Sequence, residues 1–358
     1  MALWQYALLL GIAGAVTLLL TPAVRVLARR VGAVAVPGGR HVHEGEIPRF
    51  GGVAMFAGFV VAIAVQVAGE RWLGWDGQLL RQGMRLWGVL GGTAIIWAAG
   101  VADDIHPFRP GQKLLGQLVA ATVVVASGLR VEFLGNPFGG GLVYLGLLSI
   151  PVTMLWLVGF ANVINLIDGL DGLAAGVSGI AAFWFLVLAA QGNQLDAAAF
   201  AAALLGCCLG FLRYNFHPAT VFMGDSGSMF LGFTLGSMAL LGVMKSVAAI
   251  TLAVPLLIIG IPVFDTASAI VRRLRHNRPI QEADRGHIHH RLLGRGLGQR
   301  TTVLIIYAWS FALGVGGYSM RHAPSSLTWL TFVLLAVPSG FMAYWLGLFD
   351  AAHHHAEE

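Results

Sequence analysis

Five carboxylates of this chain stand at the polar ends of apolar runs. They are Asp103 and Asp104 in V-A-D-D, Asp168 and Asp171 in N-V-I-N-L-I-D-G-L-D-G-L, and Asp225 in F-M-G-D-S-G-S. The 358 residues include only 17 acidic side chains. Ionisable groups set against apolar segments are costly and mark functional sites. Carboxylates gathered with few other charges suit a divalent cation and a phosphate-bearing substrate.

Asp103 and Asp104 close an apolar run and precede His106-Pro107-Phe108-Arg109-Pro110. A helix C-terminus is an unfavourable place for anions, so a nearby cation or metal is expected. Lys113 opens the next run and is either a counter-charge for a lipid phosphate or a simple flanking charge. In Asn162-x-x-Asn165-x-x-Asp168-x-x-Asp171 the spacing of three keeps the polar groups near one helical face. Amides can read a uracil or sugar edge there, and carboxylates can accept from a ribose hydroxyl. Gly169 and Gly172 are expected to end that helix.

Gly224-Asp225-Ser226-Gly227-Ser228 reads as a tight turn into a helix, a place whose free amides favour phosphate. Asp225 there suits an N-cap or a metal ligand, and Phe222 is positioned to stack on a base. His287-Ile288-His289-His290 lies in the most basic loop, 272–302. A zinc site lacks a second ligand cluster, and the basic surroundings oppose a cation. Binding a diphosphate through Arg285, His287, His289 and His290 fits better, and lipid headgroups are the remaining use of that charge. The segment 37–52, with Arg49, suits a lid over phosphates.

The elements that must position these groups are membrane helices. Hydrophobic residues make up 57% of the chain and charged ones 11%, far below the share in a soluble protein. Mean hydropathy is +0.77. The expected fold is all-α: a polytopic integral membrane protein with about eleven transmembrane helices, in a single catalytic domain over 1–350. The spans fall near 3–28, 51–69, 86–102, 113–129, 149–166, 173–191, 197–213, 228–243, 247–271, 303–320 and 326–348. Of 22 lysines and arginines, 16 belong with one set of connections and 6 with the other. The positive-inside rule then places the N-terminus outside and the C-terminus in the cytoplasm, with every motif on the cytoplasmic face. Gly139–Gly141 mark an outside loop, and 351–358, with His353–His355, reads as a disordered tail.

The basic balance calls for no nucleic acid. Adjacent Cys207 and Cys208 make no plausible disulfide or metal site and read as inert core. No Walker A or G-x-G-x-x-G sequence is present. An ion-coupled transporter is the rival class, but its charges belong near the bilayer midplane and many such proteins show internal repeats.

In order along the chain, D-D at 103–104, N-x-x-N-x-x-D-G-x-D-G-L at 162–173, F-M-G-D-S-G-S at 222–228 and H-I-H-H at 287–290 resemble the polyprenyl-phosphate N-acetylhexosamine-1-phosphate transferase family. H-I-H-H, in place of three consecutive histidines, looks like the N-acetylglucosamine branch rather than the muramoyl-pentapeptide branch. The resemblance implies transfer of N-acetylglucosamine 1-phosphate from its UDP donor to undecaprenyl phosphate, with Mg²⁺ or Mn²⁺, at the cytoplasmic face of a bacterial plasma membrane. It also implies a homodimer and a product that starts a cell-envelope glycan such as teichoic acid or lipopolysaccharide. By motif, Asp225 is the principal metal ligand with Asp103 and Asp104 beside it, and Asp103 orients or deprotonates the lipid phosphate. Asn162, Asn165, Asp168 and Asp171 line the nucleotide pocket, Phe222 stacks on uracil, and His287, His289 and His290 hold the diphosphate or sugar. Attack by the lipid phosphate and prior attack by a carboxylate both satisfy the sequence.

Overall fold

A computed structural model describes residues 2–35, 46–135, 142–243, 253–275, 286–322 and 325–348. The Gly139–Gly141 loop, the 351–358 tail, Arg285 and most of the basic and 37–52 loops lie outside the described residues. Helices dominate, as the apolar runs demand: within a bilayer only intrahelical bonding satisfies the backbone. They are α1 (Leu3–Val31), α2 (Gly51–Trp72), α3 (Met84–Ile105), α4 (Pro110–Ala126), α5 (Ser149–Ile167), α6 (Leu173–Gln191) and α7 (Leu195–Asn215). There follow α8 (Gly224–Val243), α9 (Ala253–Ile258), α10 (Gly260–Arg275), α11 (Ile288–Gly294), α12 (Gln299–His322) and α13 (Ser325–Trp345).

Each expected span meets a helix, but the ninth, read as 247–271, contains two among its described residues: α9 and α10 are separated at Ile259. Among the described residues, seven helical segments are long and apolar enough to cross a membrane. Among the described residues, two small antiparallel ribbons join the helices. β1 (Val34–Ala35) pairs with β2 (Ile47–Pro48), and β3 (Phe133–Gly135) pairs with β4 (Leu142–Tyr144).

The bundle is organised around α8, which packs on α2, α3, α5, α6 and α7. It is buried at nearly every position, as expected of a helix apolar all round. Phe230 of α8 meets Phe56 and Phe59 of α2 edge-on, with ring centroids 5.6 and 5.5 Å apart. Small residues bring α1 and α7 into close contact. A Cβ at Gly206 or Gly210, four apart on α7, would strike the backbone carbonyls of Leu10 and Gly14. Side chains there would hold the helices apart. Cys207 and Cys208 are fully buried and unbridged, and Cys207 Sγ meets the Met55 carbonyl oxygen at 3.2 Å.

Candidate active site

The N-terminus of α8 is the floor of the site. A helix start carries amides without intrahelical acceptors and a partial positive charge. Asp104, at the end of α3, supplies the acceptors: Oδ1 takes the N–H of Asp225 at 2.8 Å and Oδ2 that of Ser226 at 3.1 Å. The adverse dipole at the end of α3 is thus offset by the favourable one at the start of α8. Gly224, at φ +71°, makes the entry turn, where a Cβ would strike the Arg49 carbonyl and the Asp104 carboxylate. The turn is tied to the start of α2, because Gly51 and Gly52 donate to the carbonyls of Phe222 and Met223 at 2.9 and 2.8 Å. Phe222 in turn donates its N–H to Pro48 of β2 at 2.8 Å. Arg49 follows β2, with its guanidinium 3.7 Å from Asp104.

The turn His106–Arg109 folds α4 back beside α3 and carries Lys113 to the acidic pair. Its Nζ lies 2.5 Å from Oδ2 of Asp103 and 2.6 Å from Oδ2 of Asp225. Asp103 Oδ1 also accepts the Phe108 N–H at 2.5 Å. From α5, the Asn165 amide reaches Asp225 Oδ1 at 2.5 Å and Ser228 Oγ at 2.8 Å. Asn162 stands one turn deeper and is spent on Gln117 of α4, in a reciprocal amide pair of 2.8 and 3.1 Å.

Asp168 ends α5 and its carboxylate makes no hydrogen bond or ion pair among the described residues. Burial, and then the charge of Asp225, raise its pKa to about 8, against the opposing pull of Arg49. Asp171 faces the other way: its Oδ2 lies 2.7 Å from His217 Nδ1 and accepts the Ala219 N–H at 3.0 Å.

The histidine segment closes over this turn. A Cβ on Gly169 would lie 2.5 Å from His289 Nε2. His289 is 2% exposed, its ring parallels His287 at 5.7 Å, and the tilted His290 ring lies 4.3 Å away. His289 Nδ1 is buried without a hydrogen-bond partner among the described residues. Burial, and then His290, lower its pKa to about 3, so the ring is neutral near pH 7. An orphaned imidazole nitrogen beside the Asp168 turn suits a polar ligand at that place.

The structure therefore joins Arg49, Asp103, Asp104, Lys113, Asn165 and Asp225 directly, and sets His289 on the Asp168–Asp171 turn. Three groups that the motifs did not single out belong with them. Gln117 satisfies Asn162, His217 pairs with Asp171, and buried Asp265 of α10 holds His287 Nδ1 at 2.8 Å. Asp265 alone had a sequence signal, as a lone carboxylate inside an apolar run.

The donor set suits a hard divalent cation. No three carboxylate, imidazole or thiol side chains converge as metal ligands among the described residues. Mg²⁺, however, commonly takes one or two carboxylates and completes its shell with water and substrate phosphates. Asp103 and Asp225 form such a pair, and they already hold a cation, the Lys113 ammonium.

The pattern of glycosyl transferase family 4 matches residues 86–244. The chain is 38% identical to the probable undecaprenyl-phosphate N-acetylglucosaminyl 1-phosphate transferase of Bacillus subtilis, over 91% of this chain and 87% of the relative. It is 39% identical to the decaprenyl-phosphate N-acetylglucosaminephosphotransferase of Mycolicibacterium smegmatis, over 87% and 81%. It is 32% identical to the phospho-N-acetylmuramoyl-pentapeptide-transferase of Desulforudis audaxviator, over 86% and 95%.

Proposed function

Because the chain belongs to glycosyl transferase family 4, among relatives that act as polyprenyl-phosphate hexosamine-1-phosphate transferases, we propose that it transfers N-acetylglucosamine 1-phosphate from UDP-N-acetylglucosamine to undecaprenyl phosphate. The products are undecaprenyl-diphospho-N-acetylglucosamine and UMP. The observation that carries this reading is the Lys113–Asp103–Asp225 cluster at the start of α8, capped by Asp104 and faced by the histidine segment. Two anionic reactants can meet only where charge is cancelled, and this end of the bundle gathers the cations Lys113 and Arg49 and metal-type oxygen ligands.

In this reading a lipid phosphate oxygen forms the new bond to the β-phosphorus of the donor. The bond from that phosphorus to the bridging oxygen breaks, and UMP leaves with the electron pair. A phosphate monoester is largely dianionic at pH 7, so the nucleophile needs little help from a base. Direct attack is favoured over a carboxylate intermediate by the partners of each acid. Asp103, Asp104, Asp171 and Asp225 are all engaged, and Asp168 is held toward its protonated form. Lys113 and Arg49 bring positive charge to the phosphates, and His287 and His289 flank the donor sugar over the Asp168 turn. Asp103 and Asp225 would hold Mg²⁺ or Mn²⁺, which supplies charge neutralisation of the phosphoryl oxygens when bound. The polyprenyl tail stays in the bilayer while its headgroup meets a soluble nucleotide at the cytoplasmic face.

N-acetylglucosamine is favoured over the pentapeptide donor by H-I-H-H and by the higher identity to the first two relatives. The test is UMP release by purified protein with undecaprenyl phosphate, Mg²⁺ and each donor in turn, beside Asp225→Asn. Lipid-dependent release with UDP-N-acetylglucosamine alone, lost in the variant, is expected. Release with only the muramoyl pentapeptide donor would transfer the chain to that branch.

A further inference from the structure

Asp265 takes no part in the reaction as drawn above. It sits on α10 behind the apolar stretch Ile258–Phe264 and is 2% exposed. A carboxylate buried in such a place persists only when its oxygens are satisfied. Both are satisfied by consecutive residues at the start of α11. Oδ2 lies 2.8 Å from His287 Nδ1, and Oδ1 accepts the Ile288 N–H at 2.7 Å. His287 has no side-chain capping bond of its own, so Asp265 caps this short helix from outside.

The pairing also sets the chemistry of the ring. A carboxylate oxygen accepts, so the proton sits on Nδ1, and Nε2 is the nitrogen left for a ligand. The ring is 6% exposed and stacked parallel to His289, which abuts Gly169. One carboxylate therefore governs the orientation of a stack that ends at the Asp168–Asp171 turn. The rest of α10 supports it: Arg272, on the same buried face, donates to the Leu348 carbonyl beyond α13. Arg291 of α11 reaches the neighbouring Leu346 carbonyl at 3.3 Å.

We propose that Asp265 is a positioning residue of the transfer reaction: it holds His287 as the Nδ1–H tautomer, with Nε2 presented as an acceptor to a hydroxyl or amide N–H of the donor sugar, and fixes the start of α11 at the site. The kinetic part rests on the proposed transferase activity; the tautomer part does not.

The test uses the full chain in detergent, labelled with ¹⁵N-histidine, with His287→Gln to assign the His287 signals. Asp265→Asn keeps the shape but sets an amide donor against one of the two N–H groups. In the wild type, His287 is expected to carry its proton on Nδ1. In Asp265→Asn the Nε2–H tautomer gains, and kcat for UMP release falls about 10- to 100-fold, with KM within about threefold. Asp265→Glu, which keeps the carboxylate, should retain the tautomer and recover part of kcat.

A wild-type His287 protonated on Nε2 alone overturns the proposal. So does Asp265→Asn with unchanged kcat, or a loss that matches the loss of folded protein and is not eased by Asp265→Glu. If Asp265→Asn does not fold, the wild-type tautomer decides: Nδ1–H supports the proposal and Nε2–H ends it. Absence of transfer with every donor, alongside an intact Nδ1–H signal, would defeat the proposed reaction and leave the tautomer assignment standing.

Discussion

The Lys113 ammonium lies 2.6 Å from a carboxylate oxygen of Asp225, a residue 112 positions further along the chain. The same nitrogen touches Asp103, so one cation holds two acids from two helices. Lys113→Met removes that charge without adding bulk. UMP release should fall about 100-fold or more, because a buried acidic pair is left without its counter-charge. Lys113→Arg should not restore full activity, since a planar guanidinium does not replace a point charge between two carboxylates. A Lys113→Met enzyme with wild-type kcat would remove the lysine from the site.

Asp104 and Asp225 are predicted to fail in different ways. Asp104 uses both oxygens on backbone N–H groups of α8. Asp104→Asn leaves one of those donors facing another donor, at a cost of about 1–3 kcal/mol. Thermal unfolding should show the loss directly. Asp225→Asn should abolish most UMP release yet keep its midpoint within about 1 °C, a shift that corresponds to under about 1 kcal/mol for a chain of this length. Equal destabilisation by the two changes would contradict this division of labour.

Gly169→Ala tests the contact between the α5 turn and the histidine segment. The added methyl would meet His289 Nε2 at 2.5 Å, so the ring must move. Gly169 itself is exposed, and the change should cost little stability. Activity should drop about tenfold or more, as a misplacement on the order of 1 Å in a reacting site does. Unchanged kcat and KM would place His289 away from the reaction.

The titrations of His289 and Asp168 give opposite slopes of stability with pH. His289 is held at about 3, below its unfolded value near 6.5. The unfolded chain binds the extra proton between those limits, so this contribution is intact above 6.5 and is lost as pH falls toward 3. Asp168 is raised to about 8, from an unfolded value near 3.9. Its contribution is intact below 3.9 and is lost as pH rises through 8. Without added metal, unfolding midpoints from pH 4.5 to 8 should therefore fall less steeply toward acid in His289→Asn than in wild type. They should fall less steeply toward alkali in Asp168→Asn. The reverse ordering would contradict both environments.

Much of this was legible in the sequence, for identifiable reasons. Hydropathy reads one segment at a time, and it located a helix for every expected span. It did not separate α9 from α10, because Ile259 and its neighbours are as apolar as a continuous helix. The acidic motifs did lead to one site, since carboxylates at helix ends are costly enough to stand out. Period three placed Asn162 and Asn165 on one face, but depth divides them: Asn165 reaches Asp225, while Asn162 is consumed by Gln117. His217 went unread because its meaning lies in a partner 46 positions away, and Asp265, visible only as a lone carboxylate in an apolar run, finds its partner 22 positions away. No local pattern announces such a pairing.

The nearness of Lys113 to Asp103 and Asp104 in sequence has a consequence for biogenesis. A membrane chain emerges from the ribosome in order, and bare acids at the edge of the lipid resist insertion. Here the counter-charge arrives nine residues after Asp104, on the very next helix, long before α8 has been made. The hairpin of α3 and α4 can therefore enter the bilayer with Asp103 already matched, while Asp104 awaits the amides of α8. When α8 follows, it brings Asp225 to a lysine that is waiting for it.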